Sequence, residues 1–282
     1  MRKRLRRTLA EVLPAEEAHK VYNSFDIIGD IAIIKLPVNA SEKAQVVAKT
    51  IMSIHRNVKT VLLQTGPVAG DFRLRDLKHV AGENKTSTIH REFGGLFAVD
   101  VAKAYFSPRL AYERMRIAQL VEPNETVVNM FAGVGCFSII IAKYSQVSKV
   151  FSIDVNAAAF QFMQENIRLN RVYDKVIPLL GDSKEIVTSQ LQHTADRVLM
   201  PLPEKALDYL PCAVSALKDT GGWIHYYGLE HATKTERPTE KVKFKITEKL
   251  EALGVNFEVP FVRVVRSTGP NWFQLAADIH IT

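Results

Sequence analysis

The sequence predicts an α/β fold, an open and mainly parallel sheet flanked by helices, with a small α+β module in front of it. Three observations carry this. From Phe106 onward, apolar strand-like runs alternate regularly with amphipathic helical ones. One strand-like run ends in a glycine turn that opens a helix, at Gly133-Val134-Gly135. Between Ser24 and Asp100, by contrast, short β-rich runs broken by glycine and polar turns surround a single helical stretch. The expected division is therefore 1–104 and 105–282.

In the front module the β-rich runs are FDIIGDIAIIKL, VKTVLLQ, TSTIHREF and LFAVDV, and SEKAQVVAKTIMSIH is the helix among them. Ser107-Pro108 then reads as a helix start, with proline at the first helical position, and RLAYERMRIAQLV continues that helix. TVVNMF is a strand, CFSIIIAKYS a helix, KVFSID a strand and AAAFQFMQENIRLN a helix. Strand VIPLLGD, a helix, strand RVLMPLP, helix EKALDYLPCAVSALK and strand WIHYYGL follow. After a helix near 239–253, FEVPFVRVV and NWFQLAADIHI are separated by a short GPN break, the mark of an antiparallel hairpin.

Composition excludes several classes. Hydrophobic residues make up 47% and charged residues 24%, an ordinary globular balance. No apolar run reaches the roughly 18 to 20 residues of a membrane span. The basic start is not followed by the apolar core of a signal peptide, so a cytoplasmic protein is expected. Cys136 and Cys212 are the only cysteines and form no CxxC pair, which speaks against a disulfide framework or a cysteine zinc site. Net charge is +7, and Arg2, Lys3, Arg4, Arg6 and Arg7 crowd the start. Such a run is either a solvated tail or a set of phosphate contacts.

The chemistry concentrates at strand ends. Glycine at 133 and 135 lets a backbone approach a ligand that a Cβ would block. The dinucleotide fingerprint requires a third glycine where Ser138 stands, so a nicotinamide cofactor is disfavoured. Asp154 ends the next strand, where an acid accepts hydrogen bonds from ribose hydroxyls; the plainer alternative is a helix cap. Asp182 ends the third strand, within reach of an adenine amino group. Together these features point to an adenosine-containing cofactor at the carboxyl edge of the sheet, with S-adenosylmethionine the leading candidate.

The stretches FDIIGDIAI, GDFRLRDLKHVAGENKTSTIH, VDVAKAYFSPRLAYER, FAGVGCFSI and GGWIHYYG resemble, in order, the archaeal and eukaryotic tRNA (guanine-37 N1)-methyltransferases. That resemblance implies a Rossmann-like methyltransferase domain behind a small RNA-binding domain. It also implies methyl transfer from S-adenosylmethionine to N1 of the guanosine 3′ of the anticodon, without an active-site metal. The implied partner is the tRNA anticodon stem-loop, and a monomer is expected. By position, Glu113 matches the family's general base and Arg73 the arginine that stabilises charge on the base. Arg114, Gly133, Gly135, Asp154, Val155, Asp182, Ser183 and Pro201 match cofactor positions, and Arg109 and Pro203 are assigned to the substrate. On a helix opened by Pro108, Arg109 and Glu113 would be i and i+4 neighbours, either organising the site or forming a surface ion pair.

Two departures stand out. Where the family carries Asn-Leu-Pro or Asn-Pro-Pro, this chain has Met200-Pro201-Leu202-Pro203, and proline supplies neither a side-chain amide nor a backbone N–H. The elbow-binding domain of larger members is expected to be lacking. Rival readings are a wybutosine-pathway aminocarboxypropyl transferase, which attacks a different carbon on the same sulfonium, and a non-catalytic tRNA-binding protein.

Overall fold

The computed structural model describes residues 2–10, 25–37 and 42–282. Its contacts divide the chain into Met1–Ala111 and Tyr112–Thr282. None of its described helices is long and apolar enough to cross a membrane.

The first unit holds a four-stranded sheet in the order β1-β2-β3-β4 and a separate β-hairpin. Its elements are α1 (Arg2–Leu9), β1 (Asp26–Ile28), β2 (Ile31–Ile34), α2 (Ala44–Ile54), β3 (Thr60–Gln64), β4 (Leu77–Gly82), β5 (Ser87–Glu92) and β6 (Gly95–Asp100). The core lies between α2 and the sheet, where Val47, Ala48 and Ile51 meet Ala32, Ile34, Val61 and Val80. Two features were not anticipated. The basic start forms α1, whose Leu5 and Leu9, one turn apart, are buried in this core. Arg7 is exposed, whereas the side chains of Arg2, Lys3, Arg4 and Arg6 lie outside the described residues, as do Ser24 and Ser41. The second is β4, in which Leu77–Gly82 buries only Val80, so its apolar pattern gives no strand signal. Gly29, at φ +56° in the β1–β2 turn, abuts β5 so closely that a Cβ would lie 2.7 Å from the Ile89 carbonyl oxygen. Asp30 beside it accepts from Lys85 and Thr88, both at 2.7 Å, and fastens that turn to the hairpin.

The second unit is a seven-stranded sheet in the order β12-β13-β11-β10-β7-β8-β9. In chain order it runs α3 (Ala111–Leu120), β7 (Thr126–Asn129), α4 (Cys136–Tyr144), β8 (Lys149–Asp154), α5 (Ala157–Leu169) and β9 (Val176–Leu180). Then come α6 (Ser183–Ile186), a π-helical turn at Val187–Leu191, β10 (Arg197–Met200), α7 (Ala206–Ala216), β11 (Gly222–His231) and α8 (Pro238–Glu251). The antiparallel pair β12 (Phe257–Gly269) and β13 (Trp272–Ile281) closes it. Strands β7 to β11 are parallel, and the chain reverses from β9 to β10 across β7. Both edges of that reversal leave the carboxyl ends of β7, β8 and β10 around one crevice, where open α/β sheets bind ligands. This α/β architecture agrees with the sequence expectation.

One expectation needs correction. Pro108–Leu110 is a 3-10 turn, and the α-helix begins only at Ala111. Ser107 makes no side-chain capping bond there. Arg109 therefore lies outside the helical spacing that would set it over Glu113.

Candidate active site

The glycine turn is built from below. Gly133 and Gly135 sit at φ +57° and +89°, the left-handed region, and Gly135 starts α4. A Cβ on Gly135 would come 3.1 Å from Met163 Cγ, so α5 packs directly against the turn. Asn166 of α5 donates to the Val134 carbonyl at 3.0 Å. Beneath the turn, Asn129 donates to Ser138 at 3.1 Å, and the Ser152 hydroxyl lies 2.7 Å from that of Ser138. Ser138, standing where a dinucleotide site has glycine, is thus a buried pin between β7, α4 and β8.

Asp154 accepts from the Gly133 N–H at 2.6 Å and the Asn156 N–H at 2.9 Å. Burial pushes its carboxyl pKa upward, against the pull of those two amides. The cap of α5 is Asn156, whose side chain accepts from Ala158 and Ala159. Asp154 therefore does not cap that helix. Beside it Val155 is 50% exposed, and Leu180, which pairs with Asp154 across the strands, is equally open. Two exposed apolar side chains next to a strand-end carboxylate fit an adenosine: apolar contact for the base, hydrogen-bond acceptance for the ribose.

Asp182 caps α6 through the Lys184 N–H at 2.7 Å and accepts from the Tyr209 hydroxyl at 2.6 Å. The Ser183 hydroxyl is buried and donates to the Met130 carbonyl, which leaves its backbone for any cofactor contact. Cys212 has its thiol pushed up to about 11 by burial and by the nearby Asp182 charge, which disfavours nucleophilic use. Pro201 is half-buried just past β10, and Pro203 is buried.

Glu113, 1% exposed, sits on α3 in a lattice of donors. Its Oε2 accepts from the Tyr227 hydroxyl at 3.0 Å and Arg116 Nε at 3.1 Å, and its Oε1 accepts from Arg263. Arg116 also grips Asp278, and Asp278 lies 2.6 Å from His225 Nδ1. His225 Nε2 faces Arg197 at 2.7 Å, and Arg197 ends on Glu125. An arginine only donates, so Nε2 accepts and Nδ1 carries the proton. Accordingly burial, reinforced by Arg197 and Arg116, pushes the His225 pKa down, although Asp278 opposes it. Burial disfavours the Asp278 charge as well, but its hydrogen-bonded partners outweigh that and hold it at about 2. Arg114, next to Glu113, is buried with its guanidinium 5.8 Å from the Phe137 ring centre.

Sequence reasoning missed Arg116, Arg263, Tyr227, His225 and Asp278. The signal for the last was present: a single acid inside the apolar run LAADIHI.

In the first unit, Arg109 pairs with Asp26 at 2.6 Å, and Arg75 approaches the same acid. Arg109 is thus tied to Asp26 within that unit. Arg73 takes a left-handed conformation, φ +53°, at the end of a tight loop closed by reciprocal Ala69–Leu74 backbone bonds. Its guanidinium lies over the Tyr105 ring, 4.3 Å from the centre.

The sequence profile of the TRM5/TYW2 methyltransferase domain matches residues 88–253, the stretch that holds the glycine turn and both strand-end acids. This chain belongs to the TRM5/TYW2 methyltransferase family. Residues 5–86 match the TYW2 N-terminal domain. Trm5b of Pyrococcus abyssi, a tRNA (guanine(37)-N(1))-methyltransferase, is 42% identical over 96% of this chain and 78% of its own length. Its crystal structure superposes with a TM-score of 0.84. The structure of aTrm5 in complex with tRNALeu is 34% identical, with a TM-score of 0.85, over the whole of this chain and 79% of that one. A tRNA(Phe) (4-demethylwyosine(37)-C(7)) aminocarboxypropyltransferase of Methanocaldococcus jannaschii is 36% identical over 89% of this chain and 95% of its own length.

Proposed function

We propose that this family member methylates N1 of guanosine 37 in tRNA, with S-adenosylmethionine as methyl donor. The observation that carries the reading is the row of strand-end groups on one sheet edge, the Gly133–Gly135 turn, Asp154 and Asp182, in a chain so similar to guanosine-37 N1-methyltransferases. The sulfonium cofactor supplies an electrophilic methyl group.

The chain supplies the rest. Asp154 accepts from the ribose hydroxyls with the lone pairs its two backbone amides leave, and Val155 packs on the adenine. Asp182 and the backbone of Ser183 face the adenine edge, while the Gly133–Gly135 turn admits the cofactor to close approach. Arg114 and Pro201 line the cofactor side, and Arg109 and Pro203 serve the RNA side. As the N1 lone pair takes the methyl, the N1 proton must leave, and Glu113 is the assigned acceptor. Arg73 donates to O6, where negative charge gathers; stacking on Tyr105 fixes the plane of its guanidinium. The anticodon stem-loop is the assigned partner, and the protein acts as a monomer in the cytoplasm.

A second reading, transfer of the cofactor's aminocarboxypropyl group, is favoured by the match of residues 5–86 to the TYW2 N-terminal domain. One experiment separates the two. Unmodified tRNA carrying guanosine 37 and, separately, tRNA carrying 4-demethylwyosine 37 are incubated with the cofactor, and their nucleosides are read by mass spectrometry. N1-methylguanosine is the expected product. An aminocarboxypropyl nucleoside, formed only on a 4-demethylwyosine substrate, would replace this reading with the second.

A further inference from the structure

Strand β11 does not stop where the parallel sheet stops. Met200, the last residue of β10, pairs with Tyr226, yet β11 continues from Tyr227 to His231. The β12–β13 hairpin climbs beside it, with His231 opposite Trp272. These three strands rise about 16 Å above the carboxyl edge as a wall. Its top is a tight turn: Gly269 pairs with Trp272, and Asn271 takes φ +59°. The Asn271 carbonyl accepts from the Ala232 N–H at 2.9 Å, which ties the turn to the segment leaving β11.

Two aromatic rings crown this wall. Trp272 is 47% exposed and meets the exposed His231 edge to face, with ring centres 5.4 Å apart. Beside them the exposed Lys234 and Arg237 precede α8, and exposed Lys243 and Lys245 lie on it. Of the nearby acids, Glu236 is held by Lys241 and Glu230 by Lys245, so Lys234, Arg237 and Lys243 stand against Glu240 in the first turn of α8. Lys241 also donates to the His231 carbonyl at 2.9 Å, so the rim is braced. Excess positive charge beside an exposed, rigidly mounted indole is what an unpaired nucleic-acid strand recognises: phosphates take the cations and a base stacks on the ring.

We infer that this rim, Trp272 with Lys234 and Arg237, holds unpaired nucleotides that flank the methylated base. The inference rests on the RNA-methylating reading above, since only an RNA substrate presents such nucleotides at this edge.

The test uses the full chain with Trp223→Phe, which leaves Trp272 as the sole tryptophan. Adding unmodified tRNA should quench its emission. Trp272→Ala should raise the tRNA dissociation constant about 10-fold, within the range for a lost base stack, whereas Trp272→Phe should keep most of the affinity. Replacing Lys234 and Arg237 by Ser should flatten the salt dependence by roughly one unit of slope for each phosphate contact. Unchanged emission together with an unchanged dissociation constant overturns the rim, even when the same protein methylates the same tRNA. If that tRNA stays unmethylated, the functional reading fails by itself, and the Trp272 emission still decides whether the rim binds RNA.

Discussion

Arg116 grips Asp278 through two N–H···O bonds of 2.6 and 3.1 Å while its Nε donates to Glu113. One guanidinium thus joins the last strand of the sheet to the helix that carries the proposed base. Removing one partner of a buried pair leaves the other charge uncompensated, at about 3 to 5 kcal/mol. Asp278→Asn should therefore lower unfolding stability by about 3 kcal/mol in urea denaturation. A loss below about 1 kcal/mol would mean that water or a neighbour takes over the role of Asp278.

The same lattice sets a pH dependence. Asp278 is held at about 2, below its usual 3.8, and His225 is pushed below 6.5. Both groups bind fewer protons folded than unfolded, so both add stability that is lost as the pH falls. The His225 contribution should begin to fade below about pH 6.5, and that of Asp278 between about pH 4 and pH 2. Asp278→Asn should remove the lower phase from a series of unfolding curves. An identical acid profile in that variant would assign the phase to other carboxylates.

Much of the second unit was legible because its strands are continuous apolar runs separated by helical periodicity, as buried parallel strands require. The glycine turn and the strand-end acids were legible because such signals are local. The charge lattice was not, since Arg116 meets Asp278 across 162 residues and no spacing rule reaches that far. Helix α1 was hidden by its arginines, because only Leu5 and Leu9 betray a buried face. The start of α3 was read too early, since Pro108–Leu110 forms a 3-10 turn before the α-helix begins at Ala111.

Asp154 holds the glycine turn and is assigned to the ribose as well, so its loss should appear in two measurements. Asp154→Ala should weaken S-adenosylmethionine binding by about 1 to 3 kcal/mol in calorimetry, through lost hydrogen bonds. It should also lower the melting temperature, since the Gly133 and Asn156 amides lose their acceptor. Lower stability with unchanged cofactor affinity would confine Asp154 to bracing the turn.

Leu9 is fully buried in the first unit's core. Leu9→Ala should cost about 2 to 5 kcal/mol, the range for emptying a packed leucine site. Replacing Arg2, Lys3, Arg4, Arg6 and Arg7 by Ser should instead spare stability and flatten the salt dependence of tRNA binding. Should the arginine variant melt early with its salt slope intact, the segment would be a structural helix without an RNA role.

The last prediction concerns Glu113, where bracing and chemistry compete for one carboxylate. Its Oε2 is occupied by Tyr227 and Arg116, so a proton leaving guanine must reach Oε1, which faces Arg263. Glu113→Gln keeps the size of the side chain but cannot take up the proton as a carboxylate does. It should slow single-turnover methyl transfer by about 100- to 10,000-fold, the range for a positioned general base. Stability should fall as well, because an amide N–H2 now faces one of these donors. The rate must therefore be measured below the variant's melting temperature, with cofactor and tRNA binding checked beside it. Arg263→Ala frees Oε1 without touching Oε2, so it should leave Glu113 anchored and retain far more of the chemical step than Glu113→Gln does. Near-normal transfer by Glu113→Gln, with reduced stability, would make Glu113 the brace of Arg116 and Arg263 and send the search for the base elsewhere.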